Sequence, residues 1–447
     1  MILLVASACA STPVPPRAAP APPRPRGTFH DPDLRRGALP SAETRKHELA
    51  AIRDVLDKMY AHRADKIARY AIDEDALFGK AEDRLLAATT WEQYDAAIYQ
   101  TLAAFHDSHL TYHPPPTAAP ARGYTSFRLG VTTVLETDHL LVATSELAGV
   151  TPGDEVIAID GTPVSDVLRA AVEARAVSRP EAAKAAFAKT WTSVLYPKGD
   201  PPRARRIRTR DRAGAEHDVA IAPHEATGKH EVVGVEQRGD VAVVAIHSLE
   251  GGKARAKAID ETVEKARAAK AIVIDLRGDR GGIDVVGYRI VADLAQGKAP
   301  LGTARILAAE ETLARRTSWK KLPVGPDGWA TLDLTVAALP ARYAGKVAVL
   351  VDAGCVSTCE VVAAALRADV NAVLVGETTG GSSGAPVEVT LASHATIAIP
   401  TWNLTSAEGK PIEGDGVVPD VTVTPTADAL AAGHDLPLDT AVAKVSP

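Results

Sequence analysis

The chain has 447 residues, of which 46% are hydrophobic and 24% are charged, and its formal net charge at pH 7 is -6. This composition is typical of a globular protein, and at about 100 to 200 residues per domain the length predicts two to four domains. The acidic balance argues against nucleic acid or an anionic membrane surface as the main partner. The sequence has no apolar run of about 18 residues and so no candidate transmembrane helix.

The first nine residues resemble the lipobox of bacterial lipoprotein signals, because an apolar run from Met1 ends in small residues before Cys9. A charged start is missing, as expected if translation begins upstream of Met1. Residues 12–26 contain seven prolines and three arginines without apolar periodicity, which predicts an extended tether. We therefore expect residues 1–27 to be a signal remnant and tether, with a lipid on Cys9. The expected location is the cell envelope, as a periplasmic or outer-membrane lipoprotein, or outside the cell.

Two cysteines remain if Cys9 carries a lipid, namely Cys355 and Cys359. They lie four residues apart, and the environment of an exported protein permits disulfides. Two interpretations stay open: a bridge, which needs Cα atoms within about 7 Å, or a pair of small buried thiols. Two thiols without an adjacent histidine do not predict a zinc site, and no metal is expected.

Residues 28–118 are predicted to form a small helical domain. Apolar residues recur at helical spacing between residues 41 and 62, and Thr90 begins a capping box for a second helix. This helix is expected to end near His106, because a proline-rich segment follows. The polar turn between them contains His109, which is either solvated or functional.

Residues 119–232 show short strands between turn signals. Within them, residues 148–164 resemble the hallmark segment of bacterial PDZ domains. PDZ domains bind extended peptides by β-augmentation, so the resemblance implies a peptide-binding module with Leu129 and Gly130 near its loop. A PDZ-shaped spacer with a closed groove remains the alternative. Arginines that alternate over residues 203–212 indicate one solvated face of a strand rather than a nucleic-acid site.

Residues 233–430 alternate between strand and helix patterns, which predicts an α/β domain. Strands are predicted near 241–246, 271–277, 347–351, 372–375, 385–391, 396–402 and 421–423, and helices near 253–270, 283–295 and 360–366. Residues 300–346 are predicted to be an irregular surface excursion with short strands. Residues 431–447 are predicted to be a C-terminal tail.

Ser357 lies at a junction between a predicted strand and a predicted helix. The first N–H groups of a helix have no internal partners and favour negative charge, so a hydroxyl at this place can serve as a nucleophile. It can equally be an ordinary N-cap. A nucleophilic serine also needs a base, a group that orients the base, and donors for the oxyanion.

The turn Arg277–Gly282 offers such donors, because a glycine-rich backbone can point N–H groups at a reacting oxygen. The alternative is a tight connection between strand and helix. Phosphate binding is a weaker interpretation, because neither GxGxxG nor a P-loop is present.

Four motifs follow the PDZ-like segment in order: Asp275–Gly282, Ser357–Glu360, Gly376–Gly381 and Ile412–Asp420. Together they resemble the C-terminal processing, or tail-specific, peptidases over residues 40–430 of the chain. The resemblance implies an α/β fold with a ClpP/crotonase-like ββα core, an N-terminal helical domain and an inserted PDZ-like β domain. It implies no cofactor.

The residues after Gly381 differ from the pattern of the Ser-Lys members, which have a lysine where this chain has Ser382 and Ser383. The other branch resembles the tricorn core protease and uses a Ser-His pair, which Ser108 and His109 match. The resemblance therefore implies His109 as the general base for a Ser357 nucleophile.

The same resemblance gives the remaining roles. Ser108 and Glu413 would orient or polarise the base, although Glu413 could also be an ordinary charge in a glycine-rich turn. The N–H of Thr358, with that of Gly281 or Gly282, would form the oxyanion hole.

The expected function is that of a serine endopeptidase that cleaves peptides or unfolded C-terminal tails through an acyl-enzyme. The alternative is a non-catalytic protein on the same fold that binds peptides or hydrophobic ligands. The expected partner is a peptide or unfolded protein, with no nucleic acid and with membrane contact only through the lipid anchor.

Overall fold

The structure is a computed structural model that describes residues 38–114, 124–197, 202–226, 232–315, 317–339 and 343–447. The predictions for Cys9 and for the tether therefore lie outside the described residues. Within the described ranges, no helix is both long enough and apolar enough to cross a membrane.

The helical unit begins where Ser41 caps the first helix by accepting a hydrogen bond from the N–H of Thr44 at 3.2 Å. Its apolar stripe is buried, as the helical spacing predicts, and includes Ile52 and Leu56. Helices α1 to α4 span Ala42–Met59, Arg63–Tyr70, Glu74–Ala87 and Trp91–Ala103, and strand β1 spans Thr111–His113.

The second unit is built from two antiparallel sheets and two helices. Its strands β2 to β10 span Tyr124–Arg128, Val131–Glu136, His139–Ser145, Glu155–Ile159, Thr162–Pro163, Ser193–Pro197, Arg205–Arg210, Glu216–Ile221 and His224–Glu225, and its helices α5 and α6 span Val164–Glu173 and Pro180–Thr190. On β8, Ile207 and Thr209 are buried whereas Arg206, Arg208 and Arg210 are exposed. This confirms the solvated arginine face.

The third unit contains the longest run of parallel strands. Strands β11 to β21 span Val233–Arg238, Val241–Ile246, Ala271–Asp275, Lys298–Leu307, Trp329–Ala337, Lys346–Val351, Val373–Gly376, Val387–Thr390, Thr396–Ile399, Trp402–Ser406 and Val421–Thr422. Helices α7 to α12 span Gly252–Ala266, Asp284–Leu294, Glu310–Arg315, Thr358–Val370, Ala427–Ala431 and Leu436–Val445, and a 3₁₀ turn spans Thr317–Lys321.

The main sheet has the order β11-β12-β13-β16-β17-β21. All neighbours from β12 onwards are parallel, and only β11 is antiparallel to its neighbour. Helices α7, α8 and α10 pack on one face and α12 packs on the other. The carboxyl ends of β13 and β16 lie side by side, which brings the turns that follow them to one edge of the sheet.

The prediction of an irregular excursion over residues 300–346 was wrong. Strands β14 and β15 form a long antiparallel pair, and β20 joins the other side of β14. Ala299, Leu301 and Ile306 are fully buried or nearly so, and they belong to the main hydrophobic core. The pattern was hidden because Pro300 and Gly302 look like strand breakers; the register shifts between them instead, which is a β-bulge.

Residues 431–447 are not a separate tail. Helix α12 buries Leu438, Ala441 and Val445 against strands of the main sheet. Asp435 at its start accepts hydrogen bonds from both terminal nitrogens of Arg277, at 2.9 and 2.8 Å. The segment is therefore an integral layer of the third unit.

The helical unit is docked on the third unit by strand pairing. Strand β1 pairs antiparallel with β19, and β18 completes the small sheet. Val387, Ile397 and Ile399 of these strands share a hydrophobic core with α1, α3 and α4. This docking fixes the turn before β1, which contains Ser108 and His109, against the third unit.

Candidate active site

Ser357 occupies the turn that connects β16 to α10. Its backbone has φ +61° and ψ -127°, an uncommon region for a residue with a side chain. Its N–H donates to the carbonyl of Ser382 at 2.8 Å and to Oε2 of Glu360 at 3.0 Å. The turn is thus held from the side of the following helix and from the segment after β17.

Glu360 anchors this arrangement from inside α10. Its fully buried carboxylate accepts hydrogen bonds from the N–H groups of Ser357, Gly381 and Ser382 and from the hydroxyl of Thr379. Burial raises the pKa of Glu360 to about 7, and the four donors oppose that rise because they stabilise the charged form. One carboxylate therefore joins the Ser357 turn to the segment of residues 379–382.

A disulfide joins Cys355 to Cys359, with 5.5 Å between their Cα atoms. Both cysteines are fully buried, and the bridge spans the Ser357 turn. The structure therefore contains the disulfide bridge and not a pair of free buried thiols.

The turn Arg277–Gly282 packs directly on Ser357. Gly281 has φ +72°, and a Cβ atom there would lie 2.8 Å from Cβ of Ser357 and 2.8 Å from the carbonyl oxygen of Val356. The N–H of Gly281 donates to Oδ1 of Asp279 at 2.9 Å. Gly282, in contrast, lines a cavity beside Ser357. Of the two glycines considered as oxyanion donors, Gly282 is therefore the better placed.

The cavity has a volume of about 360 Å³ and contains Ser357 and Thr358 in its wall. Most of its remaining wall is apolar and is contributed by Ile283, Val285, Val361, Ala385, Pro386, Trp402 and Leu404. Asp284 supplies a carboxylate that accepts a hydrogen bond from the hydroxyl of Thr358 at 2.7 Å. This cavity can take an apolar side chain next to the Ser357 hydroxyl.

His109 lies beside the same cavity. An ideal Cβ on Gly384, which lines the cavity, would approach Cβ of His109 to 3.1 Å. Nδ1 of His109 is hydrogen-bonded to Oγ of Ser382 at 2.9 Å, and Oγ of Ser382 is in turn bonded to Oγ of Ser108. Within the described ranges no hydrogen bond joins His109 to the Ser357 side chain, a bond that often forms only with substrate.

Charged groups surround His109 without contacting its ring. Asp107 accepts a hydrogen bond from the backbone N–H of His109 at 2.9 Å, and its other oxygen accepts from Tyr60 and His62. Desolvation of the ring lowers the pKa of His109, and the negative charges of Asp107 and Glu413 offset this only in part. The imidazole is therefore neutral at pH 7, the form that can accept a proton.

Residues 240–423 match the family model of peptidase family S41. This domain belongs to peptidase family S41. The protein is accordingly a serine-type peptidase whose substrate is a peptide or protein. No curated protein sequence matches the chain.

Solved structures share the fold of this chain. Mature CPAF is 14% identical with a TM-score of 0.68, covering 89% of this chain and 96% of its own. The complex of mature CPAF with lactacystin is 14% identical with a TM-score of 0.67, covering 89% of this chain and 97% of its own. A putative peptidase from Parabacteroides merdae is 13% identical with a TM-score of 0.53, covering 91% of this chain and 98% of its own. The predicted α/β fold with an N-terminal helical unit is confirmed.

Glu413 of the S41 domain is buried but does not contact the His109 ring. Its Oε1 accepts hydrogen bonds from Lys66 and from the hydroxyl of Ser178, the latter at 2.7 Å, and its Oε2 accepts from the N–H of Ser383 at 2.8 Å. Burial lowers the pKa of Lys66, but the carboxylates of Glu413 and Asp107 together outweigh it, so this pKa lies above its ordinary value. Glu413 thus acts on His109 at most through space and through the Ser383 backbone.

Sequence reasoning missed three side chains that hold the site. Ser382 contacts His109 directly, Lys66 neutralises Glu413, and His62 bonds Asp107 at 2.8 Å and the carbonyl of Trp402 at 2.8 Å. Ser382 could have been found, because it lies in the segment after Gly381 that the sequence analysis had already compared with the Ser-Lys pattern. Lys66 and His62 gave no signal, because each is a single polar residue in an otherwise ordinary helical segment.

The residues predicted to bind peptide are not presented to solvent as a free loop. Leu129 is fully buried, and its N–H donates to the carbonyl of Thr192 at 3.0 Å. The adjacent strand β3 is covered by α6, since the Thr133 hydroxyl donates to the carbonyl of Ala188 at 2.6 Å. The carbonyl of Gly130 accepts from the N–H of Glu146 at 2.8 Å. The geometry favours the closed groove.

His62, Asp107 and Glu413 are close enough together to be considered as metal ligands. Their polar atoms already bond Tyr60, Trp402, Lys66 and Ser383, and the ammonium group of Lys66 would repel a cation. We assign no metal to this cluster.

Proposed function

We propose that the protein is a serine endopeptidase that cleaves peptides or unfolded C-terminal tails through an acyl-enzyme on Ser357, with His109 as the general base. One observation carries the proposal: Ser357 lies in a strained turn that packs on a glycine turn and lines a cavity, and a neutral histidine lies beside the same cavity.

The chemistry assigns each group one task. The Ser357 hydroxyl attacks the scissile carbonyl while Nε2 of His109 takes its proton, and His109 then gives that proton to the leaving amine. The N–H groups of Thr358 and Gly282 stabilise the oxyanion. Water activated by His109 hydrolyses the ester in the second half of the cycle.

The wider setting of the enzyme follows the same proposal. The apolar cavity would take an apolar side chain of the substrate, with no nucleic acid involved. The buried disulfide supports a place outside the cytoplasm, either in the cell envelope through a lipid on Cys9 or secreted.

A fluorophosphonate-rhodamine probe on the purified protein tests the nucleophile. We expect wild type to be labelled and to hydrolyse fluorescein-labelled casein, whereas Ser357→Ala should lose both by orders of magnitude. Ser446→Ala, an exposed serine near the C-terminus, is the control and should behave as wild type. Absence of labelling in wild type would leave the ligand-binding alternative.

The pH profile tests the base. Because the pKa of His109 is lowered, the imidazole stays neutral to a lower pH than usual, and the acid limb of kcat/KM should lie below about 6.5. His109→Ala should reduce casein cleavage about 100- to 10,000-fold. An acid limb near pH 7 would instead point to protonation of Glu360.

A further inference from the structure

Ser382 is the only residue of the described chain that is hydrogen-bonded to the ring of His109. Its Oγ lies 2.9 Å from Nδ1, and the same oxygen is bonded to Oγ of Ser108. Ser382 is almost completely buried, at 5% exposure, so water competes little for these bonds. The two hydroxyls therefore form a short relay on the Nδ1 side of the ring.

The backbone of Ser382 is held as firmly as its side chain. Its N–H donates to Glu360 at 2.9 Å, and its carbonyl accepts from the N–H of Ser357 at 2.8 Å. Ser382, which contacts the proposed base His109, is thus also hydrogen-bonded to Ser357, from which His109 would accept a proton. A fixed backbone gives the Oγ atom a defined position for the imidazole ring.

Among the described residues, no carboxylate is hydrogen-bonded to Nδ1 of His109. Asp107 binds the backbone of His109, and Glu413 is bonded to Lys66, Ser178 and Ser383. If Nε2 is to accept the proton of Ser357, Nδ1 must carry a hydrogen, and Oγ of Ser382 is then its acceptor. The hydroxyl hydrogen of Ser382 remains available for Ser108.

We propose that Ser382 is the positioning residue of the base: its hydroxyl, backed by Ser108, fixes the tautomer and orientation of His109 and accepts the Nδ1 hydrogen of the imidazolium. This inference rests on the proposed role of His109. It gives the segment after Gly381, which contains no lysine, the task of supporting a histidine base.

The test measures the second-order rate of fluorophosphonate labelling against pH for the full chain. Ser382→Ala should label about 10- to 100-fold more slowly, a part of the general-base contribution. Its acid limb should move to lower pH, because the imidazolium loses an acceptor and the pKa of His109 falls. Ser382→Thr, which keeps the hydroxyl, should label faster than Ser382→Ala.

Ser406→Ala is the matched control. Ser406 is also 5% exposed, but its hydroxyl accepts from the N–H groups of Glu408 and Lys410 in a distant turn. Thermal unfolding of each variant separates a folding defect from a rate defect. ¹⁵N spectra of labelled histidine, assigned by difference with His109→Ala, should show an Nδ1–H tautomer that becomes mixed in Ser382→Ala.

The outcomes distinguish the two proposals. If Ser382→Ala keeps the wild-type rate, acid limb and tautomer while His109→Ala is inactive, the positioning role is wrong and the base stands. If His109→Ala labels at the wild-type rate, both assignments are wrong.

Discussion

The backbone conformation of Ser357 is energetically unfavourable. A serine at φ +61° is strained by about 1 to 3 kcal/mol, and such strain persists only where neighbours enforce it. Here the neighbours are the Glu360 carboxylate, the disulfide and the close approach of Gly281. This strained conformation positions the Ser357 hydroxyl at the end of β16, directed to the edge of the sheet where the cavity opens.

Glu360→Gln tests the first of these neighbours. The amide is nearly isosteric, but its NH₂ group must face two N–H or O–H donors, so at least one buried donor loses its acceptor. We expect a loss of about 1 to 3 kcal/mol in the free energy of unfolding by urea, together with slower fluorophosphonate labelling. Glu388→Gln on the exposed side of β18 should change stability by less than about 0.5 kcal/mol. Equal effects of the two substitutions would contradict the role of Glu360.

Gly281→Ala tests the contact with the turn. Any alanine at φ +72° pays a backbone penalty, and here its Cβ would also press on Ser357 at 2.8 Å. A displacement of about 1 Å in a reacting group costs about 100-fold in rate, so we expect a loss of that order in labelling. Gly214→Ala is matched in backbone, with φ +87° and open space around the site, and should retain activity. A Gly281→Ala enzyme with normal labelling would show that the turn can yield.

At the scale of elements, the sequence was most informative where local pattern and tertiary setting agree. The parallel strands β12, β13 and β16 are continuous apolar runs, and their predicted bounds differ from the structure by a residue or two. Strands β14 and β15 are longer than the short strands predicted there, because Pro300 and Gly302 look like strand breakers and a bulge interrupts the alternation. Helix α12 was missed because a short segment at the end of a chain gives no sign of what it packs on.

The site shows the same limit. The residue types of the Ser357 turn and of the glycine turn could be predicted from local motifs. The contact between His109 and Ser382 joins residues 273 apart in sequence, and only the docking of β1 on β19 creates it. Likewise, Leu129 follows a recognisable loop pattern. The loop sequence does not show that α6 packs over β3, because that contact depends on the tertiary structure.

Leu438→Ala tests whether α12 is part of the fold. The side chain is buried on the outer face of the main sheet, so its truncation should cost about 2 to 5 kcal/mol in urea unfolding. Leu86→Ala, at a residue that is 37% exposed, should cost much less. A Leu438→Ala protein as stable as Leu86→Ala would restore the interpretation of residues 431–447 as a tail.

At the scale of the whole molecule, one polar junction links all three units. Lys66 belongs to the helical unit, Ser178 to the PDZ-like unit and Glu413 to the S41 domain, and the three side chains bond one another. His62 adds a second link between the helical unit and the wall of the cavity through the carbonyl of Trp402. Burial lowers the pKa of His62, but the carboxylates of Asp107 and Glu413 together outweigh it. The pKa is therefore raised, which favours the charged form that can donate from both nitrogens.

Lys66→Met tests this junction. Both charges are buried, so removing the cation leaves the Glu413 carboxylate without its partner, and we expect a loss of about 3 to 5 kcal/mol in the free energy of unfolding. Glu413→Gln alone leaves the buried ammonium group of Lys66 without its charged partner. The double variant Lys66→Met, Glu413→Gln removes both charges and should therefore be more stable than Lys66→Met. Urea unfolding of the four proteins closes a double-mutant cycle, and strictly additive effects would mean that the pair does not couple the units.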